Sequence, residues 1–203
     1  MMRPHDLLWL RQVPGDLPSW ARADWPVVVR RAAPMTPGRI PVGFRGDRRN
    51  QRHGAWIEPA QIVRVSTPEA LAAEGLRALP QDGGLPCLVA LGRLAPLLDA
   101  GRRPWGPTGS VGFALATGLA VLHAASDLDL LVRAETPLEA DECRLLQSLK
   151  AHAGCRLDIQ IDTGFGGFAF DEWAAGRRSV LLKTAYGPRL VRDPWHLEDE
   201  EAA

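Results

Sequence analysis

The chain has 203 residues, room for one large domain or two small ones. With 46% hydrophobic and 24% charged residues and a formal net charge of zero, it reads as a soluble globular protein. Neither disorder nor bulk attraction to nucleic acid or an anionic membrane is indicated.

Taken in chain order, "HDLLWL" reads as a short helix with Asp6 as its N-cap, and "PGDLPSWARADWP" as loop. "VVVRR", "RIPVGF", "AWI" and "QIVRVS" read as short strands. "TPEALAAEGLRAL" opens as a helix on Thr67, Pro68 and Glu69, and "LPCLVALGRLAPLLDAG" as a second helix ending at Gly101. The longest nearly apolar stretch, residues 111–122, is broken by Thr117 and Gly118 and is too short to span a bilayer. "MMRPHDLLWLRQV" likewise has too short an apolar run for a signal peptide. Cys87, Cys143 and Cys155 form no Cys-x-x-Cys pair, so free thiols in the cytoplasm are expected.

The Pro- and Gly-rich "RRPWGPTGS" marks a joint between an N-terminal lobe, residues 1–99, and a C-terminal lobe, residues 100–203. Beyond it come a helical piece from Ser110, an extended piece at "LAVLH", a strand at "SDLDLLV" and a helix from Pro137 to about His152. A strand at "RLDIQID", a loop at "TGFGG", a helix around "DEWAAG" and a strand at "SVLLKT" follow, before the acidic tail "EDEEAA". This order predicts an α/β fold: a small mixed sheet flanked by helices, with a smaller α+β lobe before it.

"SDLDLLV" carries the chemistry. Asp127 and Asp129 sit one residue apart in an otherwise apolar strand, so both side chains leave the same face. Two adjacent carboxylates repel each other and resist desolvation. A divalent cation between them reverses that, and ionised carboxylate oxygens suit Mg²⁺. A third acid on a neighbouring strand would complete a two-metal site. "RLDIQID" offers Asp158 in mid-strand and Asp162 at the strand end, of which Asp158 is preferred. Ahead of them, Gly109 and Ser110 open a helix with free N–H groups and a hydroxyl, suited to a phosphate. Metal-assisted transfer from a triphosphate-like donor accounts for all three features.

"GPTGS…SDLDLLV…LDIQ" resembles the DNA polymerase β nucleotidyltransferase superfamily, in which a Gly-Ser turn precedes an Asp-x-Asp strand and a third acidic strand. The stretch between Ser110 and Asp127 is longer than usual there, and an inserted hairpin at "ATGLAV" is expected to account for it. A narrower resemblance runs along nearly the whole chain. "RPHDLLWL", "PVGFRGDRRNQRHGAWI", "WGPTGSVGFALATGLAVLHAASDLDLLV", "LDIQIDTGFGGFAFDEWA" and "VLLKTAYGPRLVRDPW" are similar to the malonate decarboxylase holo-acyl carrier protein synthase family, also called phosphoribosyl-dephospho-CoA transferase. The resemblance implies a triphosphoribosyl-dephospho-CoA donor, a serine on the apo acyl carrier subunit of malonate decarboxylase as acceptor, and diphosphate as the other product. The zero net charge gives no reason to expect a nucleic-acid or membrane partner beside them. In that scheme Asp127 and Asp129 hold the metals, Asp158 completes the site and orients or deprotonates the serine, and Gly109 and Ser110 hold the triphosphate.

Seven arginines fall between residues 30 and 52 against a single acid, Asp47. Arg45, Arg48, Arg49 and Arg52 are the candidates for drawing in the triphosphate or an acidic carrier. Lys183 is a further phosphate candidate. His53, His123, His152 and His196 share no metal-ligand spacing, so zinc is not expected. Three alternatives stay open: the same chemistry on citrate lyase's carrier, a nucleotidyltransferase using an ordinary NTP, and a non-catalytic carrier-binding protein.

Overall fold

The computed structural model describes residues 2–15, 17–33, 36–48, 50–75 and 84–197. Arg49, the end of "TPEALAAEGLRAL" and the acidic tail lie outside the described residues.

Two sheets build the protein. The first runs in the order β4-β3-β2-β1-β5, from β1 (Leu7–Leu10), β2 (Val27–Val29), β3 (Ile40–Arg45), β4 (Arg52–Ile57) and β5 (Ile62–Ser66). All its pairings are antiparallel. Alternation sorts its side chains: Leu8, Val27, Val29, Val42, Phe44 and Ile57 form a small buried core on one face. The opposite face, with Leu7, Val28, Gly43 and Arg45, is left to the cleft described below. "HDLLWL" is therefore a strand and not a helix. β1 pairs with both β2 and β5, and those two ladders outweigh the local helix signal. Asp6 instead closes a turn, its Oδ2 accepting from the Arg3 N–H at 2.8 Å.

Two helices lead to the second sheet, α1 (Pro68–Gly75) and α2 (Pro86–Asp99). The second sheet has six strands, ordered β11-β10-β9-β8-β7-β6. They are β6 (Trp105–Pro107), β7 (Leu128–Arg133), β8 (Leu157–Asp162), β9 (Gly166–Ala169), β10 (Val180–Thr184) and β11 (Gly187–Val191). Interleaved are α3 (Gly109–Thr117), α4 (Ala140–Ala153) and α5 (Phe170–Ala174). The sheet is mixed, as expected: β7 and β8 are parallel, joined through α4, and every other pairing is antiparallel. The loop expected at "TGFGG" is half strand, since Gly166 and Gly167 begin β9, and β11 adds an edge beyond the expected last strand. No hairpin interrupts "ATGLAV". Gly118 caps α3 in the left-handed conformation, and the chain runs without strand to β7.

The main core lies on one face of this sheet. Leu128, Leu130 and Val132 of β7 and Leu157, Ile159 and Ile161 of β8 pack against Leu91, Leu94 and Leu98 of α2 and Leu146 and Leu149 of α4. Both α1 and α2 thus serve the second sheet, although they precede the Pro- and Gly-rich joint. The same alternation sends Asp129, Leu131 and Arg133, and Asp158, Gln160 and Asp162, to the other face. There the first lobe meets the second through Arg133, which is 5% exposed. Its guanidinium donates to Glu69 of α1 at 3.0 Å, to the Pro4 carbonyl at 3.1 Å and to Asp162. Arg31 closes on Asp162 from the other side at 2.8 Å. Among the described residues no helix is long and apolar enough to cross a membrane.

Candidate active site

A cleft of about 760 Å³ opens between the two sheets. The second lobe lines it with Thr108, Gly109, Ser110, Phe113, Asp127 and Asp129; the first lobe contributes His5, Arg30, Arg45, Arg52 and His53.

The Gly-Ser turn is fixed directly onto the acidic strand. The Thr108 N–H donates to the Asp129 carbonyl at 2.8 Å, and Gly109 takes φ +58° to start α3. Gly109 is the residue this contact demands, because a Cβ there would lie 1.9 Å from Oδ2 of Asp129. A carboxylate and a helix N-terminus are thereby held against each other on one cleft wall. Asp127 precedes β7 and Asp129 lies within it; both are half-buried.

Asp158 stands beside Asp129 in the parallel register. It does not line the cleft, and its partner is Arg156, 3.1 Å from Oδ2. The same guanidinium reaches Asp127 at 3.7 Å. A cation thus bridges two of the three acids, on a side chain 70% exposed that the sequence reading passed over. Asp162 has a different environment. Burial alone would raise its carboxyl, but Arg31, the Gly164 N–H and Arg133 together hold it below the ordinary range. It is an interior ion-pair hub.

Among the described residues no group of three His, Cys, Asp or Glu side chains gathers as a metal cage. Mg²⁺ rarely uses one: it is held by one or two carboxylates with water and substrate phosphates filling the rest. Two hard carboxylates on one cleft wall, beside the start of α3, fit such an ion.

The other candidates divide. Arg45 and Arg52 line the cleft; Arg48 does not, and its backbone N–H is turned to Gln51 Oε1 at 2.9 Å. Arg30, another of the seven arginines between residues 30 and 52, does line it. Lys183 is exposed on β10, outside the lining.

His5 is a residue whose place in the cleft sequence reasoning missed. It lines the cleft, faces Gln160 with 3.1 Å between the Nε2 atoms, and is, among the described residues, the non-glycine residue with positive φ, +76°. Burial, then Arg31 and Arg133, lowers its pKa to about 4, so the imidazole is neutral. Strained backbone of this kind clusters at functional sites. The only trace in the sequence is the His-Asp pair itself, which also reads as capping.

Comparison with known proteins covers both lobes. Residues 3–68 match the family model "Phosphoribosyl-dephospho-CoA transferase MdcG N-terminal domain" and residues 75–194 match "Phosphoribosyl-dephospho-CoA transferase MdcG C-terminal domain". A protein of Pseudomonas putida (strain W619) named phosphoribosyl-dephospho-CoA transferase is 48% identical over 203 residues, covering 96% of each chain. One of Klebsiella pneumoniae (strain 342) with the same name is 43% identical over 205 residues, covering 97% of this chain and 98% of the relative. No solved structure matches the chain significantly. With both lobes matched and the relatives aligned over 96% or more of each chain, the chain belongs to the phosphoribosyl-dephospho-CoA transferase MdcG family.

Proposed function

We propose that this protein transfers the phosphoribosyl-dephospho-CoA group from 2'-(5''-triphosphoribosyl)-3'-dephospho-CoA to a serine of the apo acyl carrier subunit of malonate decarboxylase, in the cytoplasm. The relatives' shared name supports the transferred group. The observation that carries the chemistry is the shared cleft wall of Gly109, Ser110, Asp127 and Asp129. Its resemblance to the nucleotidyltransferase pattern supports the class of reaction.

In this reading the serine oxygen attacks the α-phosphorus of the donor. The bond to the bridging oxygen breaks, and diphosphate leaves with the electron pair. Gly109 and Ser110 hold the triphosphate through backbone N–H groups and the hydroxyl at the start of α3. Asp127 and Asp129 would hold Mg²⁺, two ions in the fullest form of the site. When bound, Mg²⁺ supplies positive charge that offsets the triphosphate's own. Asp158 orients the serine hydroxyl and takes its proton. Its position beside Asp129 but outside the cleft lining suits an acceptor that arrives on another protein.

Diphosphate release in the presence of Mg²⁺ tests this. Release should require both the triphosphoribosyl donor and the apo carrier, and a carrier with its serine changed to alanine should abolish it. Release with ATP and no donor would replace this function with ordinary nucleotidyl transfer; release from neither would leave a carrier-binding protein.

A further inference from the structure

The cleft holds a second juxtaposition of like charges, opposite in sign to the aspartates. Arg45 of β3 and Arg52 of β4 stand directly opposite each other in the antiparallel register. Like charges so placed destabilise a sheet. Arg45 is also partly desolvated: its Nε is buried with no hydrogen-bond partner. Beside them lies Arg30, in a trough left by two paired glycines. Its Nη1 is 2.4 Å from where a Cβ on Gly54 would be, and its Cδ 3.2 Å from one on Gly43. Among the described residues no carboxylate pairs with any of the three. Asp47 shares this wall, but it faces Arg22 at 3.7 Å.

The location is as specific as the charge. The Arg45 guanidinium lies over the Phe113 ring, 4.2 Å from its centroid. Phe113 follows Gly109 by four residues on α3, about 6 Å along the helix axis. One extended polyphosphate can therefore touch both the Gly-Ser turn and the arginines. Guanidinium binds carboxylate and phosphate alike in bidentate fashion, but three clustered arginines suit a diphosphate, which brings more negative charge to one place than a single carboxylate does.

We propose that Arg30, Arg45 and Arg52 form a diphosphate-binding subsite on the first lobe, facing the Gly109–Ser110 turn across the cleft. The subsite rests on reading the cleft as the donor site. The donor offers two such groups: the diphosphate that departs from its triphosphate, and the diphosphate within its dephospho-CoA portion. Either way, these arginines serve the donor, and carrier recruitment falls to other residues.

Calorimetric titration of the full chain in EDTA, with inorganic diphosphate and separately with dephospho-CoA, tests the proposal without metal or carrier. Arg45→Gln and Arg52→Gln should each weaken at least one probe by about tenfold or more. Loss for inorganic diphosphate alone assigns the departing group, loss for dephospho-CoA alone the nucleotide portion, and loss for both a subsite reached by either. Arg52 is exposed, so Arg52→Gln should keep the wild-type melting temperature and carry the test if Arg45→Gln unfolds. Unchanged affinity for both probes in folded Arg52→Gln, or no binding of either by the wild type, overturns the subsite. A protein that binds as expected yet transfers nothing would sink the proposed function and leave the subsite standing.

Discussion

Gly109 and Asp129 touch: Oδ2 of the aspartate occupies space where any other residue at 109 would place its Cβ, 1.9 Å away. Gly109→Ala must therefore displace either the turn or the carboxylate, besides straining φ +58°. Transfer should fall by two orders of magnitude or more, roughly 3 kcal/mol of lost transition-state stabilisation. Gly118→Ala is the control. Its φ is +72° but nothing lies within 4 Å, so about 1 kcal/mol of stability should be lost with activity kept. Equal activity losses in the two variants would show that backbone strain, and not the contact with Asp129, matters.

Asp158 and Asp162, two turns of the strand pattern apart, should behave oppositely. Asp162→Asn leaves Arg31 and Arg133 without their shared carboxylate in the interior and should cost about 3–5 kcal/mol in urea denaturation. Asp158→Asn removes an exposed partner of Arg156 and should cost under about 1 kcal/mol while transfer is lost. A stable, active Asp158→Asn would remove Asp158 from the mechanism.

Arg156, 3.7 Å from Asp127, would compete with Mg²⁺ for that carboxylate. Replacing it by alanine should lower the Mg²⁺ concentration for half-maximal activity, by about two- to fivefold because the pair is exposed and screened. A higher Mg²⁺ requirement instead would mean that the guanidinium holds the carboxylate in place for the ion.

His5 gives the fold a specific pH response. Its pKa is about 4 when folded against 6.5 when unfolded, so between those values the unfolded chain takes up a proton that the folded chain refuses. Stability is then flat above about 6.5 and falls as pH drops toward 4, by at most roughly 3 kcal/mol. The lowered Asp162 carboxyl also favours folding, but that contribution is lost only at lower pH, below its ordinary value of 3.8. His5→Asn, which tolerates the left-handed backbone, should flatten the melting temperature between pH 6.5 and 4. An unchanged slope would place the acid sensitivity elsewhere.

The sequence was most readable where pattern and chemistry coincide. In β7 and β8 the alternation of aliphatic and acidic residues gave both the strands and the face on which Asp129 and Asp158 emerge. It was least readable where a long-range partner decides. β1 is a strand only because β2 and β5, many residues away, accept its ladder. Arg133 looks like an ordinary strand-end cation, and only the folded chain brings Pro4, Glu69 and Asp162 around it. Nor does composition separate Arg30 and Arg45, which face the cleft, from Arg48, which does not: that depends on register across β3 and β4.

The proposed chemistry has the wall shared by Gly109, Ser110, Asp127 and Asp129 move a phosphoribosyl-dephospho-CoA group onto a carrier serine. Intact mass of the apo carrier tests it most directly, after incubation with donor, Mg²⁺ and either wild-type protein or Asp129→Asn. Wild type should add one phosphoribosyl-dephospho-CoA group to the carrier, and the folded variant none. An unmodified carrier with wild type, or full modification by Asp129→Asn, would contradict it.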